Sequence, residues 1–232
     1  DIKDISSLKI IRENSIIFLT KKLNLEKYDL SKIFIITNKE KIFLEYKNHN
    51  ILFVRDIDMS YNIICNYLFF HEDGVNCKDN LDFIDGSYIS KDSKIHESAI
   101  IGKNCFIGRG VKIGPYTNIK NNVVIKNSII GSNVIISDNS TIGSTGFGFS
   151  LNNLGSKNVN PHLGIVIIED NVRIGSNCTI DRGKIDYTFI GKNSMLDNQI
   201  HIAHNVIINS NACIAAQSGI SGSVIIGDNL IA

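Results

Sequence analysis

From Ile89 to the end of the chain an aliphatic side chain returns every six residues. The first run is Ile89, Ile95, Ile101, Ile107, Ile113, Ile119 and Ile125. After a one-residue slip come Ile130, Ile136 and Ile142, and after a long break Ile168, Ile174 and Ile180. The last run is Ile190, Leu196, Ile202, Ile208, Ile214, Ile220 and Ile226. Six is neither the helical period of 3.6 nor the plain strand period of 2. It fits a β-solenoid whose coil is three short strands joined by tight corners, with the aliphatic pointing inward. Gly or Asn beside it is expected to take the corner's special backbone angles. Three hexads make one coil, and coils stack roughly 4.8 Å apart. The period does not fix handedness, and the general crossover rule would make the coil right-handed.

Two interruptions break the period. Gly143 to Ile167 contains Gly143-Ser144-Thr145-Gly146-Phe147-Gly148-Phe149-Ser150 and ends in Asn160-Pro161-His162-Leu163-Gly164; Asp181 to Phe189 is shorter. Loops inserted at solenoid corners often build the binding face. Residues 1–87 lack the period. Ile16–Leu19, Ile33–Ile36 and Ile51–Val54 read as short buried strands. Tyr61, Ile64, Cys65 and Leu68 have helical spacing within Asp58–Phe70. The expected fold is therefore mainly β: a small α/β domain over 1–87, then a parallel β-helix over 88–232. No capping element follows the last hexad and no Met opens the chain, so a truncated C-terminal end and a missing start are expected.

A formal net charge of +1, with charged residues at 20%, gives no field directed at nucleic acid. No run approaches 18 apolar residues, and Asp1-Ile2-Lys3-Asp4 is too polar for a secretory signal. Five cysteines without a CxxC pair read as reduced thiols of a cytoplasmic protein, with no metal knuckle. The wealth of Ile, Asn and Lys reads as genomic base composition.

Chemistry concentrates in Asp197-Asn198-Gln199-Ile200-His201-Ile202-Ala203-His204-Asn205. His204 is third in its hexad, an outward slot, so it is either a solvated surface histidine or a functional base. His201 raises a metal reading, but it occupies a different slot and no third ligand has suitable spacing. Eighteen residues beyond His204 is Gly222, in the same slot of the next coil. A histidine base beside a bare backbone donor is the minimum apparatus for acyl transfer. Gly222 reads equally as a simple corner glycine.

Gly146-Phe147-Gly148-Phe149, Pro161-His162-Leu163-Gly164, Thr179-Ile180-Asp181-Arg182-Gly183, Asp197-Asn198-Gln199 and Ile202-Ala203-His204-Asn205 appear in an order and spacing that resemble the UDP-3-O-acylglucosamine N-acyltransferases of lipid A biosynthesis. The resemblance covers the solenoid from about Ile89 and, more loosely, the N-terminal segment. It implies a left-handed β-helix, a homotrimer with active sites between subunits, and a cytoplasmic enzyme of a Gram-negative-type bacterium. It implies His204 as the general base that deprotonates the glucosamine 2-amino group, Gly222 as oxyanion donor and Asp197 as the residue that orients His204. The donor would be a 3-hydroxyacyl thioester on the phosphopantetheine of acyl-carrier protein, with no other cofactor and no metal. Phe18 matches the family's uracil-stacking Phe. Lys21 and Asn24 stand where the family has Asn and Tyr, so uridine is expected to bind more weakly or differently. His201 replaces a customary Gln, and the family's further coils, second histidine and helical C-terminal segment do not follow.

Three other functions compete: a UDP-N-acetylglucosamine O-acyltransferase, a coenzyme A-dependent sugar acetyltransferase, and a non-catalytic β-solenoid binding module. The first lacks such an N-terminal domain and the Thr-Ile-Asp-Arg-Gly passage. An ice-binding solenoid would show ladders of outward Thr, and none is regular here.

Overall fold

The computed structural model describes residues 2, 4–69, 80–151 and 155–232. By contact the chain forms two units. Residues 1–75 join 148–161 in the first, and 76–147 join 162–232 in the second.

The first unit holds a parallel sheet of four strands in sequence order: β1 (Asp4–Ser6), β2 (Ser15–Phe18), β3 (Ile33–Thr37) and β4 (Ile51–Phe53). Ile17, Leu19, Leu25, Ile33, Ile35 and Ile42 form its buried core. Three of the strands lie where the apolar runs predicted them; the structure adds β1 and the helix Glu40–Tyr46. A second helix, Ile57–Phe69, buries Tyr61 and Cys65 but leaves Leu68 exposed. Position 70, the expected end of that helix, lies outside the described residues. The antiparallel pair Phe149–Leu151 and Lys157–Val159, from the long interruption, packs on this second helix. Asn62 Nδ2 donates to the Val159 carbonyl at 2.6 Å and Tyr61 Oη to that of Pro161 at 2.9 Å.

The second unit is a left-handed parallel β-helix of three sheets. All twenty periodic aliphatics face its interior. Fifteen are buried; Ile89, Ile95, Ile101, Ile220 and Ile226 are only partly so, because end coils are covered from one side. The antiparallel hairpin Leu81–Ile84 with Ser87–Ser90 belongs to this unit: Ile89 pairs with Ile107. The expected domain edge at 87/88 thus falls inside a hairpin of the solenoid sheet.

Most coils repeat after 18 residues, as in Ile107 to Ile125 and Ile202 to Ile220. Across the long interruption Ile142 pairs with Ile180, an offset of 180 − 142 = 38; across the short one Ile180 pairs with Ile202, an offset of 22. All three sheets take these offsets together, so the insertions leave the register intact.

The corner angles belong to a different residue from the one expected. The left-handed φ falls on the residue three after the aliphatic: Asn104, Asn122, Asn193, Asn205, Asn211 and others, with φ near +60°. Asn tolerates that region better than other residues with a Cβ. The Gly that follows the aliphatic is needed for close approach instead: a Cβ on Gly102, Gly114 or Gly175 would meet the next coil's backbone at 2.6 Å. The corner asparagines also bond to one another, Asn171 to Asn193, Asn193 to Asn211 and Asn211 to Asn229, each at 3.1 Å. The abundance of Asn therefore has a structural role beyond base composition.

Among the described residues no helix is long and apolar enough to cross a membrane. Burial pushes the Cys178 thiol up, and its Sγ donates to the Asp197 carbonyl at 3.1 Å, a packed and protonated group.

Candidate active site

Five segments of the solenoid unit meet around His204. Three are stitched by backbone bonds: Arg182 N–H donates to Ser144 O at 2.9 Å, Leu163 N–H to Lys184 O at 2.7 Å and Gly164 N–H to Gly183 O at 2.9 Å. A Cβ on Gly164 would fall 2.0 Å from Asp186 O, and one on Gly183 2.7 Å from Tyr187 N, so these glycines permit the segments to touch. Gly146 lies so close that an added Cβ would sit 2.9 Å from both His162 Nε2 and His204 Cβ. His162 is buried, its ring 5.0 Å from that of His204 in an edge-to-face arrangement. Gly146 and His162, near the two ends of the interruption, thereby flank a half-buried His204.

The tautomer of His204 follows from its neighbour. Asn205 Oδ1 accepts the Lys184 backbone N–H at 2.8 Å, which fixes the amide's orientation, because a backbone N–H must meet an acceptor. The same oxygen lies 3.1 Å from His204 Nδ1, so Nδ1 carries the proton and donates. Nε2 is left with the lone pair. Asn205 is itself held at φ +61°, with its N–H donating to Thr188 Oγ1 at 2.9 Å.

Gly222 lies over this nitrogen. His201 pairs with Gly219 and Ile202 with Ile220, so the 18-residue offset sets Gly222 on the next coil above His204. A Cβ on Gly222 would be 2.9 Å from His204 Nε2 and 3.0 Å from Cε1. Gly222 has negative φ and is exposed, so what it provides is space beside the imidazole.

Asp197 is not brought beside His204 within the chain. It follows Met195–Leu196 of the six-stranded sheet, whereas His204 follows His201–Ile202 of the eight-stranded one. Its Oδ1 accepts the Asn198 N–H at 2.8 Å, and it lines a depression of about 510 Å³ with Arg173, Met195 and Cys213. That is the larger of the two described cavities and lies away from the histidines. Asn205 and His162 contact His204 directly, and Asp181 Oδ2 lies 3.8 Å from Nε2 of the neighbouring His201.

In the first unit, Phe18 is half-buried at the end of β2, packed edge-to-face on Tyr61 at 5.2 Å. Lys21 lines a cavity of about 480 Å³ with Thr20, Lys22, Asn38, Lys39 and Lys41, and Phe18 does not line it. Asn24 turns back on its own chain, its Oδ1 accepting the Glu26 N–H at 2.9 Å. No group of metal-binding side chains occurs among the described residues.

Comparison with known families matches residues 187–222 to the model for "Bacterial transferase hexapeptide (six repeats)" and residues 83–149 to that for "GMPPB C-terminal domain". Among curated proteins, the chain is 51% identical over 84 residues to the UDP-3-O-acylglucosamine N-acyltransferase of Methylacidiphilum infernorum, covering 36% of this chain and 24% of that protein. It is 54% identical over 82 residues to the enzyme of the same name from Christiangramia forsetii, covering 35% and 24%. The matched stretch spans about a quarter of each relative's length. Among solved structures, the UDP-N-acetylglucosamine acyltransferase of Bacteroides fragilis superposes with a TM-score of 0.57 at 29% identity, covering 64% of this chain and 56% of that one. The Acinetobacter baumannii counterpart gives 0.57 at 27%, covering 64% and 56%. The chain is thus a hexapeptide-repeat β-helix of the kind found in acyltransferases, and it is similar in sequence to the UDP-3-O-acylglucosamine N-acyltransferases.

Proposed function

We propose that this protein is an N-acyltransferase that moves a 3-hydroxyacyl chain from acyl-carrier protein to the 2-amino group of UDP-3-O-acylglucosamine. One observation carries the reading: the His204 Nε2 lone pair, its tautomer set by Asn205, lies against the open space over Gly222. The amine attacks the thioester carbon and Nε2 takes the proton that leaves nitrogen. The Gly222 N–H holds the oxyanion as it forms. Collapse expels the carrier's thiolate, which recovers the proton from the imidazolium. No metal or redox group is needed for this balance.

The curated relatives favour the amine as acceptor, while the solved structures favour the hydroxyl of UDP-N-acetylglucosamine. The sequence relatives weigh more, since their identity is 51% and 54% against 29%. An assay with an acyl-carrier-protein donor and both UDP-sugars decides. We expect amide product from the 3-O-acylglucosamine nucleotide. Ester product from UDP-N-acetylglucosamine alone would reverse the assignment. Phe18 remains the proposed uracil contact, with Lys21 available for a phosphate.

A homotrimer belongs to the same proposal. Ile129, Ile167, Phe189, Ile207 and Ile225 stand in register on the outer side of the seven-stranded sheet. Ile129 is 37% and Ile225 71% exposed, so the row is apolar surface that association would cover. Light scattering at micromolar concentration should give three times the chain mass; a stable monomer would argue against the trimer.

A further inference from the structure

Beside His204 lies a cluster that the acyl-transfer scheme leaves unused. Asp181 ends the strand Thr179–Asp181 and is only 7% exposed. Its Oδ2 is 3.8 Å from His201 Nε2. The other nitrogen of that ring, Nδ1, is 2.8 Å from Thr179 Oγ1. Thr179 and His201 are register partners on adjacent coils, so the imidazole is tied at Nδ1 and turns Nε2 toward Asp181. Ile180 is the register partner of Ile202, so Asp181 stands one residue past that pair on its coil and His204 two residues past it on the next.

We propose that Asp181 is a positioning residue for His204, the counter-charge for the imidazolium formed when His204 takes the substrate's proton, and that His201 shares this carboxylate. The inference rests on the acyl-transfer reading for its kinetic part only. A base that gains a proton in a half-buried site gains charge there, and a fixed carboxylate nearby lowers the cost of that charge. Asn205 cannot supply this, being neutral; it sets the tautomer. Two features mark Asp181 as kept for its charge. Burial lifts its carboxyl above the usual carboxylate range, so the ionised form is disfavoured by the fold. Positive charge on His201 or His204 pulls it back down, so a proton taken by His204 is a charge that this carboxylate meets. The other ionisable groups around the cluster are His162 against His204, and Arg182, Lys184 and Asp186 in the loop that follows Asp181.

The sign of the linkage separates function from folding. A carboxyl whose folded pKa is raised favours the fold when protonated. That favour is lost as pH rises from the unfolded value through the folded one. At neutral pH the carboxylate is therefore a burden, and Asp181→Asn should melt no lower than the parent.

The test has two arms. In the first, carbon-13 NMR follows the Asp181 carboxyl carbon in the parent, His201→Gln and His204→Gln. We expect it to titrate above the ordinary carboxylate range in the parent and higher still in each variant. A carboxyl that titrates normally and ignores both substitutions overturns the proposal, whatever reaction the protein catalyses. In the second, Asp181→Asn should lower kcat about 10- to 100-fold, as loss of an outer partner does elsewhere. KM for the UDP-sugar should change little, and Asp181→Glu should restore part of the rate. His201→Gln should displace the acid limb of the pH profile with a small loss of rate. Unchanged kcat in Asp181→Asn also overturns the proposal, while absence of acyl transfer in the parent counts against the acyl-transfer reading alone.

Discussion

His204→Ala should lower turnover by about 10²–10⁴, the usual contribution of a positioned general base, and leave binding of the UDP-sugar nearly intact. The substrate amine must lose a proton as it bonds to the thioester carbon. In the proposed mechanism Nε2 is the acceptor because Nδ1 is committed to Asn205 Oδ1, which is pinned in turn by the Lys184 N–H. The alanine variant keeps the corner intact, since Asn205 still receives Lys184 N–H and still donates to Thr188. Its melting temperature should therefore stay close to the parent's, and a full kinetic profile would separate kcat from KM. Near-normal turnover with an acyl-carrier-protein donor would refute the mechanism without touching the fold. His201→Ala should do much less, because that ring is tied to Thr179 and Asp181 in a different slot.

Gly222→Val should lose about 10² in turnover, for a different physical reason. The new Cβ would lie 2.9 Å from His204 Nε2 and 3.0 Å from Cε1. Carbon cannot rest that close to a ring atom, so the imidazole must turn away or the corner must shift. A misplacement of about 1 Å can cost about 10²-fold in rate. Gly222 is not among the positive-φ residues, so valine is not forced into the left-handed region and the strain falls on the imidazole and its corner. Circular dichroism would verify the coil, and Gly222→Ala should give a smaller loss of the same kind. If valine were tolerated, the space over Nε2 would not be where the carbonyl sits.

The period of six was legible because every coil solves the same packing problem, and each aliphatic is inward for the same reason. Gly222 was legible because no insertion separates it from His204, so simple addition of 18 lands on it. The same addition fails one coil earlier. Ile180 and Ile202 are 22 apart, and so are their neighbours Thr179 and His201. Four residues looped out at the corner hid the approach of Asp181 to His201, although both residues stand in plain view in the sequence. Asn205 carried a readable signal. It sits three after an aliphatic, where Asn recurs with a left-handed φ. Asp197, assigned by the resemblance alone, does not stand beside His204 within one chain, because a prism edge lies between them. The N-terminal strands were recoverable from apolar runs; β1, three residues with one strong apolar side chain, was not.

The two interruptions return the chain to the same phase in all three sheets. The prism therefore behaves as a ruler that ignores what is hung from its corners. Loop length can drift from one descendant to another while the spacing between His204 and Gly222 is inherited unchanged. Acceptance of a new sugar or a longer chain would then be a change of wall, reached by insertion and deletion, with no retuning of the imidazole. Divergence in a scaffold of this kind should be read first in the lengths of its detours, and only second in the letters of its coils.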